Sequence, residues 1–147
     1  MHLELQSSTS ALAILPVEEM ASFLRVDDPT QTAEITSLIK AAVTKFQEQT
    51  GRQVGTATYK MTLRSFPNCR VIRVPKPPTS SVVSVGYYAT AGVLTSITDY
   101  QVGKGEIFYH IEPAAAGYWP TVAAGLANGV EVVFTCGYGT ARESIDD

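Results

Sequence analysis

Few residues of this chain are of types that do chemistry. Its two histidines are His2 and His110. A general base at His110 needs an acid partner and a nucleophile within hydrogen-bond reach. Asp99 and Cys136 are of suitable type, yet no spacing ties them to His110. The two cysteines, Cys69 and Cys136, each lack a second Cys or His at ligand spacing, which argues against a metal site. Both lie in β-patterned context and are expected as reduced, partly buried thiols, a disulfide requiring neighbouring strands. Glu18-Glu19 and Asp27-Asp28 stand at helix starts, where the dipole favours carboxylates, and Asp146-Asp147 is a solvated terminal pair. Gly103 and Gly105 lack the third glycine and the following helix of a dinucleotide loop. Gly137-Tyr138-Gly139 has neither helix nor Lys after it, so it is no phosphate cradle. The expectation is no enzyme, with no catalytic, cofactor-binding or metal-ligating residue.

The aromatic residues offer contact chemistry instead. Tyr87, Tyr88, Tyr100, Phe108, Tyr109, Tyr118, Trp119 and Tyr138 crowd the second half. Stacking on bases is disfavoured because no basic residues interleave with them. In adjacent pairs one ring can face the core and the other a partner. Tyr88, Tyr118, Trp119 and Tyr138 are interface candidates, with Arg142 and Ile145 in the terminal tail.

Helices come first among the elements that must position these residues. Leu12 to Leu15 is apolar, and Pro16 suits a first helical turn. Val17, Met20, Ala21 and Leu24 predict a short helix over Val17 to Arg25. Asp28 is placed as N-cap, Pro29 as the first helical residue and Gln31 as the reciprocal partner of a capping box. Ile35, Leu38, Ile39, Ala42, Val43 and Phe46 form one apolar stripe of period 3.6, predicting a long helix over Pro29 to Thr50. Gly51 closes it in the left-handed conformation. Such a stripe must pack on the first helix, on the sheet or on another subunit.

Strands follow. Alternation predicts them over residues 56–64, Arg70 to Val74, Ser81 to Ala89, Val93 to Ile97, Glu106 to Ile111 and Val130 to Cys136. Val93 to Ile97 pairs with Ser81 to Ala89 as a hairpin around Ala91-Gly92. Pro75-Lys76-Pro77-Pro78 should be an extended, edge-type connection. The fold class is α+β, one short and one long N-terminal helix followed by a small antiparallel β-sandwich or barrel-like module. One compact unit is expected, with residues 1–53 helical, 54–139 the β module and 140–147 a short tail. His2 falls at a frayed terminus.

The totals agree with one domain. The 147 residues are 45% apolar and 17% charged, enough for a core and too sparse in charge for disorder. A net charge of −3 without a Lys/Arg run argues against a phosphate-binding surface. No apolar run reaches membrane-span length, and the first residues lack a signal-peptide pattern, so synthesis in the cytosol is expected.

Several segments, in order, resemble a family. Leu15-Pro16-Val17-Glu18-Glu19-Met20 with Phe23-Leu24-Arg25-Val26-Asp27 looks like the opening of tailed-phage head–tail connector proteins, also called adaptor or head-completion proteins. Glu48-Gln49-Thr50-Gly51-Arg52 resembles the end of their long helix. Tyr59 with Leu63-Arg64-Ser65-Phe66-Pro67, the junction Val74-Pro75-Lys76-Pro77-Pro78 and Ser81 to Tyr88 are similar to the strands that follow. Tyr100-Gln101-Val102, Trp119-Pro120 and Val132 to Gly139 complete the likeness, which covers about Leu12 to Gly139. The resemblance implies a structural virion protein of the neck, assembled in the host cytoplasm. Family members form a homo-oligomeric ring, commonly a dodecamer, between the portal and a tail-side stopper or tail terminator. The ring extends the DNA channel for genome ejection without specific binding. Twelve copies at −3 each would place −36 formal charges on it, which suits sliding DNA. Many relatives continue past the Gly-Tyr-Gly strand into a portal-engaging tail, a role that would here fall to Arg142 to Asp147. A non-catalytic binding module gripping a peptide, glycan or host surface through Tyr118-Trp119 is the second reading. An enzyme around Asp99, His110 and Cys136 is the third.

Overall fold

The computed structural model describes residues 1–105, 108–114 and 117–140. The chain opens with a strand rather than a frayed end. β1 (His2–Ser8) pairs antiparallel with β2 (Ala57–Leu63). Its alternation explains the pairing. Leu3 packs against the core, while Glu4 turns the other way and meets Lys60 at 3.4 Å.

Three helices follow. α1 (Ala11–Ile14) is capped by Ser10, whose side chain accepts from the Leu12 N–H. α2 (Val17–Leu24) starts after Pro16 and ends at Arg25 in the left-handed conformation. Asp28 then caps as expected, but Thr30 rather than Gln31 completes the cap. The Asp28 carboxylate accepts from the Thr30 N–H at 2.9 Å and the Thr30 hydroxyl at 2.7 Å. Pro29–Gln31 is a 3-10 turn, and α3 spans Thr32–Thr50. Gly51, at φ 68°, closes α3 by donating its N–H to the Gln47 carbonyl at 3.0 Å.

The remaining strands are β3 (Ile72–Arg73), β4 (Thr79–Thr90), β5 (Val93–Ile97), β6 (Tyr100–Lys104), β7 (Tyr109–Pro113) and β8 (Val130–Cys136). A five-stranded antiparallel sheet runs β1-β2-β8-β4-β5, and a three-stranded one runs β3-β7-β6. Central β8 alternates strictly, with Val130, Val132, Phe134 and Cys136 all at 0% exposure. These side chains share one core with Met61 and Val85 of the same sheet and with Ile72, Val74 and Ile111 on the β3 side. The expected α+β class holds, with a helical layer beside a two-sheet module.

Two strand expectations need correction. The strand placed over Arg70 to Val74 shrinks to β3, because Arg70 takes φ 65° and cannot start extended pairing. The strand placed over Glu106 to Ile111 is β7, shifted toward the C-terminus; residues 106–107 lie outside the described residues. The Pro cluster connects β3 to β4 but is not extended as expected: Lys76 takes φ 65° and the chain bends there, with the Pro77–Pro78 bond cis, and the cluster's carbonyls are used. Pro77 accepts from the Gln53 N–H at 2.9 Å and Pro78 from the Gly137 N–H at 2.8 Å.

Candidate functional site

Asp99, His110 and Cys136, the residues of the enzyme reading, sit on separate segments. The Cys136 thiol is fully buried in β8, where desolvation pushes its pKa up to about 12. A thiol held protonated and closed off from solvent is no nucleophile. His110 lies in the other sheet. Its ring crosses Gly103 of the neighbouring strand, where an added Cβ would overlap it, and its Nε2 stands 3.7 Å from Glu112. Asp99 is exposed just before β6. Cys69 sits in an exposed turn, not a strand, and both cysteines are free.

Gly137-Tyr138-Gly139 has a structural task. The Tyr138 N–H donates to the Val54 carbonyl at 2.9 Å and the Thr56 N–H to the Gly139 carbonyl at 2.8 Å. This run ties the end of β8 to the segment leaving α3. Arg52 adds a bond from its guanidinium to the Tyr138 hydroxyl at 2.6 Å.

The aromatic candidates separate by orientation. Trp119 is turned inward. It stacks on Phe66 at 4.7 Å between centroids with 5° between planes, and its indole N–H donates to the Arg70 carbonyl at 2.6 Å. Tyr118 points out at 81% exposure, with the Arg70 guanidinium 5.1 Å from its ring centre. These residues, with Pro67 and Pro120, line an open groove of about 440 Å³. Tyr88 lies on the five-stranded sheet and donates its hydroxyl proton to Glu131 at 3.0 Å, which raises the phenol pKa. Tyr138 is 38% exposed. The structure brings Tyr118 and Trp119 together and leaves Tyr88 and Tyr138 elsewhere on the module. Arg142 and Ile145 lie outside the described residues.

Sequence reasoning missed a second set of contact residues. The stripe of α3 is only half used inside the chain. Ile35 and Ile39 are 5% and 2% exposed, whereas Leu38 is 60% and Phe46 48% exposed. Phe23 on α2 is 83% exposed, with Leu24 beside it at 48%. At the far edge of the sheet, Val93 and Leu94 of β5 are 59% and 47% exposed. One signal was available: Phe23 falls off the Val17, Met20, Ala21, Leu24 stripe.

Comparison with protein-family models finds no match, and comparison with curated proteins finds no significant one. Solved structures do match. A chain from the neck of an empty gene transfer agent particle, computed with C6 symmetry, superposes with a TM-score of 0.83 at 21% identity, covering 98% of this chain and 75% of that one. A chain from the virion of the native gene transfer agent particle gives 0.81 at 22% identity, with 98% and 75% covered. A chain from the native particle's neck, computed with C12 symmetry, gives 0.78 at 21% identity, with 98% and 74% covered. At these identities the likeness establishes a shared fold along nearly the whole of this chain.

Proposed function

We propose that this chain is a structural protein of the neck of a tailed-phage-like particle. In this reading it forms an adaptor ring, of twelve copies, between the portal and the next tail-side component, and its lumen extends the DNA channel. One observation carries the reading: 98% of the chain follows the fold of a chain from a particle neck. The exposed apolar side chains of α2, α3 and β5 support it, because a lone domain has no use for them. Tyr88, Tyr118 and Tyr138 enter as contact residues, with exposed Tyr118 on the face offered to a neighbouring component and Trp119 supporting that face from behind through its stack on Phe66. The buried thiol of Cys136 supports a non-catalytic role.

The test is imaging of the particle that carries this chain. The expected result is density for the chain in a rotationally symmetric ring between head vertex and tail. Particles lacking the chain, or carrying it on a fibre or elsewhere on the head, would overturn the reading. The second reading, a non-catalytic binding module, rests on the groove at Tyr118 and Trp119. It predicts a monomer absent from the neck.

A further inference from the structure

Two unlike apolar patches stand at opposite edges of the five-stranded sheet. The helical layer belongs to the β1–β2 edge. Leu5 and Tyr59 of those strands share one hollow with Ile14 of α1 and Val43 and Gln47 of α3, and the Gln47 side chain accepts from the Val54 N–H at 3.1 Å. On its helices Phe23, Leu24, Leu38 and Phe46 keep about half or more of their surface open. The other edge is β5, whose Val93 and Leu94 are open to solvent. Leu94 lies across Gly86 of β4, where an added Cβ would come within 3.1 Å of it.

We infer that the occupant of each patch is a second copy of this chain, with the helical patch of one copy seated on the β4–β5 hairpin of the next. This inference rests on the ring reading and assigns its subunit interface. The geometry argues for it in three ways. First, a closed ring needs a head-to-tail contact between two different surfaces on well-separated sides of the subunit, and these patches meet that requirement. A two-fold dimer would instead need one self-complementary patch. Second, the open area on the helices is that of a weak contact. At roughly 150–200 Å² per side chain, Phe23, Leu24, Leu38 and Phe46 leave on the order of 400 Å² of apolar surface open. That is about half of the ~800 Å² per partner that a free-standing complex buries. A contact of this size is weak alone and becomes durable when every copy is held at both edges. Third, β5 (Val93-Leu94-Thr95-Ser96-Ile97) carries no charge. The mixed charges flanking the α3 stripe therefore face no like charge there.

Continuation of the backbone ladder from β5 of one copy to β1 of the next is a poorer geometry. Twist of about 20–25° per strand turns the two edges of a five-stranded sheet by close to 90°. A twelve-fold operator turns each copy by only 30°, so the two edges cannot align as neighbouring strands. Side-chain packing across the patches has no such restriction.

The experiment uses assembled particles and a short bis-maleimide. Exposed Cys69 is first replaced, Cys69→Ser, leaving only the buried Cys136. In that background Leu38→Cys and Val93→Cys together are expected to give a ladder of cross-linked multimers. Each substitution alone should leave monomers. Dimers from Leu38→Cys alone would mean a two-fold contact and overturn the inference. A product joining Leu38→Cys to a different protein would give the helical patch to that component and also overturn it. So would the absence of a ladder when the doubly substituted chain is present in the neck. As a second measurement, Leu38→Arg and Val93→Arg should each melt like the wild type and each lower the chain's occupancy in the particle at least tenfold. Full occupancy in both would overturn the inference. A wild-type chain absent from the neck would instead defeat the ring reading itself.

Discussion

Gly137→Ala tests the account of the Gly-Tyr-Gly run most directly. Gly137 has φ +112°, a region that L side chains rarely occupy. An added Cβ would strike the Gly55 carbonyl, standing 2.6 Å from its carbon and 2.9 Å from the Thr56 Cα. All of these are backbone atoms held by the ladder between the end of β8 and the segment entering β2, so none can swing aside. The disfavoured conformation costs about 1–3 kcal/mol. Forcing a methyl group into a filled site costs about 1–3 kcal/mol more. The expected loss is then about 2–6 kcal/mol, against a total stability of about 5–15 kcal/mol for a domain. At about 2–4 °C per kcal/mol that lowers Tm by about 4–24 °C. Gly92→Ala is the control. Its φ is +85°, but nothing lies within 4 Å of its added Cβ, so only the conformational cost applies. Urea unfolding of both variants, followed by circular dichroism, reads the difference. If the two lose stability to within about 0.5 kcal/mol of each other, the close approach of Gly137 to Gly55 is not a constraint and the reasoning fails.

Further predictions concern the core, the thiols and the helix cap. Phe134, fully buried and stacked on Tyr59 at 6.0 Å, should cost about 3–5 kcal/mol when replaced by Ala. A loss below about 1 kcal/mol in urea unfolding would show that the two sheets do not share this core. In the native protein a thiol reagent at neutral pH should label Cys69 and spare Cys136; labelling of both would refute the burial. Because burial raises the Cys136 pKa from 9.0 to about 12, the folded chain holds a proton that the unfolded chain gives up. Its contribution is complete below pH 9 and declines as the pH climbs toward 12, and Cys136→Ala should flatten that part of the pH–stability curve. Asp28 shows the opposite sign. The Thr30 N–H and then the Thr30 hydroxyl hold its carboxyl below its ordinary 3.8, so its contribution is present above that pH and lost as the pH falls through the lowered value. Asp28→Asn keeps the cap acceptor and should remove that acid dependence; an unchanged acid-unfolding profile would count against the cap.

Local signals were legible in the sequence and long-range ones were not. Asp28, Pro29 and Gly51 mark the ends of the long helix because capping and left-handed closure are written in neighbouring residues. β8 was legible because every second residue is apolar and buried. β1 was not. Gln6, Ser7 and Ser8 blur its alternation, and its partner lies some fifty residues away in β2. β6 was not among the expected strands, because Gly103 and Gly105 weaken a strand signal. Gly103 is in fact the place where the His110 ring crosses β6. At the groove, adjacency told that Tyr118 and Trp119 point apart but not which points in. The Phe66 ring and the Arg70 carbonyl decide that for Trp119.

The half-used stripe of α3 bears most on function, because periodicity alone cannot say how wide a helix's covered face is. Leu38, Ala42 and Phe46 lie one ridge over from Ile35, Ile39 and Val43, and the second ridge is the more buried of the two. Polar residues on the first ridge would cost the isolated fold little, since Leu38 and Phe46 keep about half or more of their surface in water. Their apolar character is therefore not explained by folding of a single copy. It is explained if that ridge is covered in an assembly, where each buried methylene contributes about 0.8 kcal/mol to association. The same holds for Phe23 and for Val93. A binding module built around the groove at Tyr118 leaves these side chains without a role, whereas a subunit held at both edges uses every one of them.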